Sequence, residues 1–411
     1  MGYSISRLIA DIVFSQKPNY HPVPPVNTTM DINLLIDQGN QHRTDRQYEA
    51  ALACYAQALT QDRRCAAAFN NYGNVLREIG EPAGALPFLE RAIQLNPHDP
   101  VANFNRAVCL LLQGDYSRGW PAYESRWNYE HLANTLPQLG MPRWRGEDLK
   151  NKSILVIGEQ GHGDCIQFSR FLWNLHALGA QIHLQVTDGL IPLFQGSPIL
   201  ASIAGYDSSV PTTDYWSPIM SLPGIMGITL ENLPRPVNYI TARDTDVAAW
   251  RDRLGAKTRL RAGLSWSGRR DAWLNQHKGM PFESALTLVR NNPQIEWVNL
   301  QIDATDSETQ ALSALGVRMF PGTIGGFHDT AALITHMDVV ISVDTAIAHL
   351  SGALGRPTWV MLQKFALDWR WLLDRADSPW YSTARLFRQR DFDDWLSVIN
   401  QVTQYLSWFK V

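Results

Sequence analysis

The stretch VVISVDTAIAHLSGALGRP, from Val339 to Pro357, decides the fold. Its first five residues, Val339 to Val343, read as a buried strand. The run stops at an acid and a hydroxyl, Asp344 and Thr345, and turns at once into a small-residue helix carrying His349. Ile347, Leu350 and Leu354 give that helix a core face, and Ala348 and Gly352 let it lie close to its neighbours. A helix beginning at a strand end offers unpaired N–H groups and a partial positive charge, which together suit a phosphate. The alternative is an N-capped helix with a buried, satisfied His349.

The surrounding sequence supports an open α/β sheet. RAGLSWSG, Arg261 to Gly268, reads as a strand ending in Ser265, Ser267 and Gly268, followed by the basic residues Arg269, Arg270 and Lys278. EWVNLQ, VRMFPG, PTWVML and ARLFRQ read as further strands, with helical segments between most of them. In doubly wound sheets the ligand sits outside the carboxyl ends of the strands. Two polar strand ends facing one crevice exceed what a helix cap requires.

Upstream lies a second unit of the same kind. SILVIG is a buried strand, EQGHGD a loop, CIQFSRFLWNLHALG a helix stopped by Gly179, and AQIHLQV the next strand. This is a right-handed β-α-β unit with parallel strands. Glycines 158, 161 and 163 crowd the turn without the GxGxxG spacing of a dinucleotide site. Asp164, at or next to the helix N-cap, is either a cap or an acid/base group, and His162 is a second titratable group in the same loop. DYWSPIMSLPGIMGIT reads as one more strand, a loop and a short helix, and LPRPVNYITA as an extended link.

The first third repeats. Gly39 and Gly73 stand 34 residues apart, and the same step relates Ala51 to Ala85, Tyr55 to Leu89 and Ala58 to Ala92. Pro97 closes the second copy; a partial third has Ala107 and Tyr123 at the glycine and aromatic positions. This is the tetratricopeptide period, with small residues where two helices cross. It predicts five or six helices between residue 32 and about residue 130. Such a short array either binds a partner in its concave face or braces the next domain.

Bulk properties narrow the function. The chain has 411 residues, 45% of them hydrophobic and 18% charged, which suits two or three globular domains. A formal net charge of −3 without a basic run argues against nucleic-acid binding. Cys54, Cys65, Cys109 and Cys165 show no disulfide or zinc spacing, which fits a reducing compartment. No apolar run reaches membrane-spanning length. The opening MGYSISRLIADIVF has the wrong length and flanks for a signal peptide, so a cytoplasmic location is expected. Its Ile5, Leu8, Ile9 and Ile12 suggest a short amphipathic helix, followed by a Pro-rich, extended leader.

Two Rossmann-like halves, one with an acidic glycine-rich loop and one with phosphate-type strand ends, form the GT-B plan. Here the sequence resembles a family. ISVDTAIAHLSGALGRP is similar to the donor-site signature of the heptosyltransferase-like glycosyltransferases (family 9), and GEQGHGDCIQFSRF to their N-terminal glycine–aspartate loop. GDYSRGWPAYESRW, PRWRGEDL, DWRWLL and DSPWYSTARLFRQ resemble the bacterial branch in which tetratricopeptide repeats precede that transferase. The resemblance spans roughly residues 35 to 400. It implies an inverting, metal-independent transferase using a nucleotide-diphosphate sugar, ADP-heptose-like by default, with no other cofactor. It further implies Asp164 as general base, with His162 as the alternative. Ser265, Ser267 and Gly268 match the hydroxyl loop, Lys278 meets the donor diphosphate, Thr345 and Ala346 start the phosphate helix, and Asp344 contacts the donor sugar. His349 belongs to the same signature.

The expected organisation is a leader over residues 1–31, repeats over 32–130, an N-terminal Rossmann-like domain over 131–240 and a C-terminal donor-binding domain over 241–411. The expected function is transfer of a sugar to a protein or glycan hydroxyl, the repeats recruiting a protein acceptor. The rival from another class is an inactive transferase-like scaffold.

Overall fold

A computed structural model describes residues 31–129, 139–268, 279–365 and 367–409. Lys278, and the helix expected near Ile5, lie outside the described residues. The chain divides into two compact units: residues 1–137 with 365–373, and residues 138–364 with 374–411.

Among the described residues, the first unit has six α-helices: α1 (Ile32–Thr44), α2 (Tyr48–Gln61), α3 (Ala66–Glu78), α4 (Pro82–Leu95), α5 (Pro100–Leu112) and α6 (Tyr116–Tyr123). The 34-residue period has a direct steric cause. A Cβ on Gly39 would lie 2.4 Å from the Tyr55 ring, and one on Gly73 2.8 Å from Leu89. Each glycine therefore lets one helix of a pair close on the bulky residue of the next. Tyr55, Leu89, Ala51, Ala85, Ala58 and Ala92 are all buried in one core. Residues 365–373 complete this unit. Phe365 stacks on Tyr48 with ring centroids 5.3 Å apart. Trp369 meets Trp120 edge-on at 5.4 Å. A far-downstream segment thus belongs with the repeats, outside any sheet.

The second unit contains two parallel sheets. The first half runs β1 (Ser153–Ile157), α7 (His162–Phe168), α8 (Arg170–Ala177), β2 (Gln181–Gln185), α9 (Ile191–Phe194), β3 (Leu200–Ala204), β4 (Tyr215–Pro218) and α10 (Leu222–Ile225). Its strand order is β3-β2-β1-β4, all parallel. The expected single helix after the glycine loop is α7 and α8, separated only at Ser169, whose backbone stays helical and whose hydroxyl donates to Ile166 O at 2.9 Å. The second half runs α11 (Asp244–Leu254), β5 (Arg261–Ser265), α12 (Phe282–Arg290), β6 (Glu296–Asn299), α13 (Asp306–Ala314), α14 (Phe327–Ile334), β7 (Val339–Val343), α15 (Ala346–Ala353), β8 (Thr358–Leu362), β9 (Ala384–Arg388) and α16 (Trp395–Trp408). The order is β6-β5-β7-β8-β9, again parallel throughout. Every residue of β5, β7 and β8 is buried, as strands covered on both faces require. Val398, Ile399, Val402 and Leu406 line one stripe of α16 and enter the sheet core with Trp359 and Phe387.

One expectation is corrected. VRMFPG is not a strand: it makes one parallel bridge, Val298 with Arg318. Pro321 has no N–H to donate, and Gly322 takes a positive φ of 68°, so pairing stops. LASIA, which no sequence pattern singled out, forms edge strand β3 beside β2.

Candidate functional site

The first strand end is that of β1. The chain passes through Glu159, whose buried carboxylate accepts Met220 N–H at 3.0 Å, and Gln160, held at φ 61°. A non-glycine residue in the left-handed region is uncommon and signals a fixed loop. Gly161 is the N-cap of α7, His162 its first residue and Asp164 its third. Asp164 Oδ2 accepts Gly161 N–H at 2.8 Å. The acid therefore closes the loop from inside the first turn, where a carboxylate also meets the positive end of the helix dipole. His162 meets Phe327, at the start of α14, edge-on at 5.0 Å.

The second strand end is that of β7. Thr345 caps α15: its hydroxyl accepts Ile347 N–H at 3.3 Å and pairs with Ser342 Oγ at 3.1 Å. Ala346 opens the helix. His349, one turn on, is buried, with Nδ1 2.9 Å from the Tyr381 hydroxyl. Its Nε2 lies 3.9 Å from Asp344 Oδ1, too long for a hydrogen bond. The far end of α15 is also gripped: Tyr239 and Ile240 N–H donate to Ala353 O at 3.0 and 3.3 Å.

Gly163 joins these two ends. A Cβ there would lie 2.9 Å from His349 Cδ2 and 3.4 Å from Ala346 Cα. The first turn of α7 therefore rests directly on the first turn of α15, which brings Asp164 and His162 into one neighbourhood with Thr345, Ala346 and His349. Behind this contact, burial first and Asp164 second push the Cys165 thiol up to about 12.

The third strand end is that of β5, beside β7, with Ser265 opposite Ser342 in register. Its hydroxyls are engaged within the protein. Ser265 Oγ donates to Gln301 Oε1 at 3.0 Å, Ser267 N–H donates to the same oxygen at 3.0 Å, and Ser267 Oγ donates to Gly268 O at 2.9 Å. Gln301 Nε2 in turn donates to Asp303. Gln301, just beyond β6, was not singled out in the sequence. Its signal was the one read at Asp344, a polar residue ending an apolar strand. The expected basic partner of this loop, Lys278, lies outside the described residues. Among the described residues, Asp246, His328 and Asp329 bring possible metal-ligand atoms within 4.8 Å of one another. Two of these carboxylates already accept other donors, Asp246 from Arg243 at 2.8 Å and Asp329 from Gly325 N–H at 2.8 Å.

Comparison with known proteins bears on both units. Residues 36–100 match the tetratricopeptide repeat family, and residues 323–360 match glycosyltransferase family 9 (heptosyltransferase). The second match contains β7, the Asp344–Thr345 turn and α15. Residues 36–100 thus carry tetratricopeptide repeats, and residues 323–360 the signature of a heptosyltransferase-like glycosyltransferase domain. The chain is 27% identical over 417 aligned residues to Protein FlbA of Caulobacter vibrioides, across 85% of this chain and 68% of that protein. Among solved structures it is similar to the ADP-heptose lps heptosyltransferase II of E. coli, at 13% identity over 62% of this chain and 100% of that one, with a TM-score of 0.46. It is also similar to the family 9 glycosyl transferase of Veillonella parvula, at 11% identity over 64% and 98% of the two chains, with a TM-score of 0.48. Among the described residues of the repeats and the heptosyltransferase-like domain, no helix is long and apolar enough to cross a membrane.

Proposed function

We propose that the heptosyltransferase-like domain moves a sugar from a nucleoside-diphosphate donor to an acceptor hydroxyl in one inverting step. The observation that supports this reading is the seating of α7 on α15 at Gly163, which brings the helix turn carrying Asp164 against a helix start of the kind that suits a diphosphate. In this mechanism Asp164 takes the proton of the acceptor hydroxyl as that oxygen attacks the anomeric carbon. The C–O bond to the diphosphate breaks, and the first-turn N–H groups of α15, with Lys278, hold the departing charge. Asp344 contacts the donor sugar, and His349 contributes to the donor side. The donor carries an ADP-heptose-like sugar and the reaction requires no metal. The repeats recruit the acceptor, which is then a protein hydroxyl.

Titration calorimetry with ADP, UDP, GDP and CDP tests donor binding; absence of any binding refutes the reading. Asp164→Asn tests the base, because the amide oxygen can still accept Gly161 N–H and keep the loop closed. It should lower turnover by about 10²–10⁴ with little change in nucleotide affinity. His162→Ala should cost far less. The reverse order would move the role of base to His162.

A further inference from the structure

Behind His349 lies a polar chain made of residues from both halves and the link between them. It begins at Arg170, on α8, whose side chain is 1% exposed. Its guanidinium donates to Trp380 O at 2.6 Å, to Gln167 O at 2.9 Å and to the Tyr239 hydroxyl at 3.1 Å. The rings of Tyr239, Trp380 and Tyr381 lie 4.8, 5.1 and 4.8 Å from its centre. Among the described residues, this cation is held by aromatic faces and carbonyls and not by a carboxylate. The Tyr381 hydroxyl, fully buried, interacts with both Tyr239 and Arg170 and reaches His349 Nδ1 at 2.9 Å.

The direction of this chain follows from its first member. Arginine offers donors and no acceptor. Hydroxyl oxygens facing it must accept, so each hydroxyl proton is passed onward. A tyrosine has one proton to give, and burial keeps it on the phenol, with the Tyr381 pKa raised well above its ordinary value. Tyr239 gives its own proton to Gln167 O at 3.4 Å, and that of Tyr381, given to His349 Nδ1 at 2.9 Å, makes this ring nitrogen the acceptor. The proton of the neutral imidazole is left on Nε2, the nitrogen on the Asp344 side.

We propose that Tyr381, backed by Arg170 and Tyr239, is a positioning residue that fixes His349 as its Nε2–H tautomer, so that the donor site meets the nucleoside diphosphate with an N–H already aimed. This deepens the donor reading above and rests on it for the identity of the ligand. The substitution that isolates the hydroxyl is Tyr381→Phe. The ring itself is a packing element, since a Cβ on Gly352 would come within 2.4 Å of it, and phenylalanine preserves that contact.

Two measurements on the full chain test the proposal. In the wild type, ¹⁵N spectra of histidine-labelled protein should show His349, assigned by comparison with His349→Gln, with a protonated Nε2 and a bare Nδ1. In Tyr381→Phe that pattern should give way to mixed tautomers. In calorimetry with ADP and UDP, Tyr381→Phe and His349→Gln should each weaken binding about three- to tenfold, the span of one hydrogen bond. The double variant should bind no more weakly than His349→Gln alone, since the tyrosine acts through the histidine. A protonated Nδ1 in the wild type, an unchanged pattern in Tyr381→Phe, or losses that add would each overturn the proposal. If the wild type binds neither nucleotide, the donor reading fails, and the tautomer comparison alone decides the role of Tyr381.

Discussion

Replacing Gly163 by alanine isolates the contact that assembles the site. Considered alone, α7 would gain from the change, because alanine exceeds glycine in a helix interior by about 1 kcal/mol, and by less in the first turn. The gain is opposed by overlap. The new methyl would stand 2.9 Å from His349 Cδ2 and 3.4 Å from Ala346 Cα. Neither neighbour yields easily: the imidazole is tied to Tyr381 at 2.9 Å, and the other atom is backbone. Overpacking of this kind costs about 1–3 kcal/mol, so Gly163→Ala should lose roughly 1 kcal/mol net. For a unit of this size, that lowers the melting temperature by about 2–4 °C. Relief requires the first turns of α7 and α15 to move apart, so ADP or UDP affinity should fall more than stability does. Scanning calorimetry and nucleotide titration read the two effects separately. Gly84→Ala in α4 is the matched control, since its methyl would meet only Leu76, at an ordinary 3.7 Å. It should be neutral or slightly stabilising. A Gly163→Ala protein that is more stable and binds nucleotide normally would refute the close-approach argument.

Trp369→Ala should destabilise the repeat unit by about 3–5 kcal/mol, the range for emptying a buried tryptophan site, seen as an earlier unfolding transition. An unchanged transition would mean that residues 365–373 are not part of the repeat core. Burial raises the Cys109 and Cys165 thiols to about 12. Alkylation of the native protein at pH 8, read by mass spectrometry, should therefore reach the half-buried Cys65 first and these two only on unfolding. Asp214 is held down to about 2 by the backbone N–H of Ser153, then by its hydroxyl, then by Lys152. A depressed carboxylate stabilises the fold above its unfolded value, near 3.8, and that contribution is lost as pH falls through about 2. Asp214→Asn should thus be less stable at pH 7 and show a flatter acid limb between about pH 4 and 2, measured by circular dichroism.

What could be read from the sequence was what local pattern encodes. The repeats announce themselves because Gly39 with Tyr55 and Gly73 with Leu89 solve one steric problem twice at one spacing. The break at Asp344 was legible because an acid and a hydroxyl abruptly end a strand whose every residue is apolar or buried. What escaped was non-local. Gly163 and His349 are far apart in the chain, and nothing near either signals the other. Residues 365–373 read as part of the second sheet's surroundings, yet their aromatic rings belong with Tyr48 and Trp120. β3 escaped because an edge strand with half-exposed residues lacks the apolar run that marks its neighbours.

The polar residues at the strand ends also divide by what satisfies them. Buried hydroxyls must be hydrogen-bonded, so a serine already paired within the protein is part of the scaffold before it can serve a ligand. Ser265 gives its proton to Gln301, and Ser342 gives its own to Val343 O at 2.8 Å while meeting Thr345. These two face each other in register on adjacent strands and fasten the adjacent turns from beneath. Ser267 N–H is taken by the same Gln301 oxygen, so the turn after β5 is shaped largely by one amide. A donor diphosphate in this site would then depend least on the buried serines whose spacing first suggested it. It would depend most on groups at the start of α15, against which α7 is seated: the first-turn N–H groups of α15 and the imidazole of His349. On that reasoning Ser265→Ala weakens nucleotide binding only as far as it frees Gln301. Gln301→Ala, which releases Ser265 and Ser267 together, is the more damaging of the two.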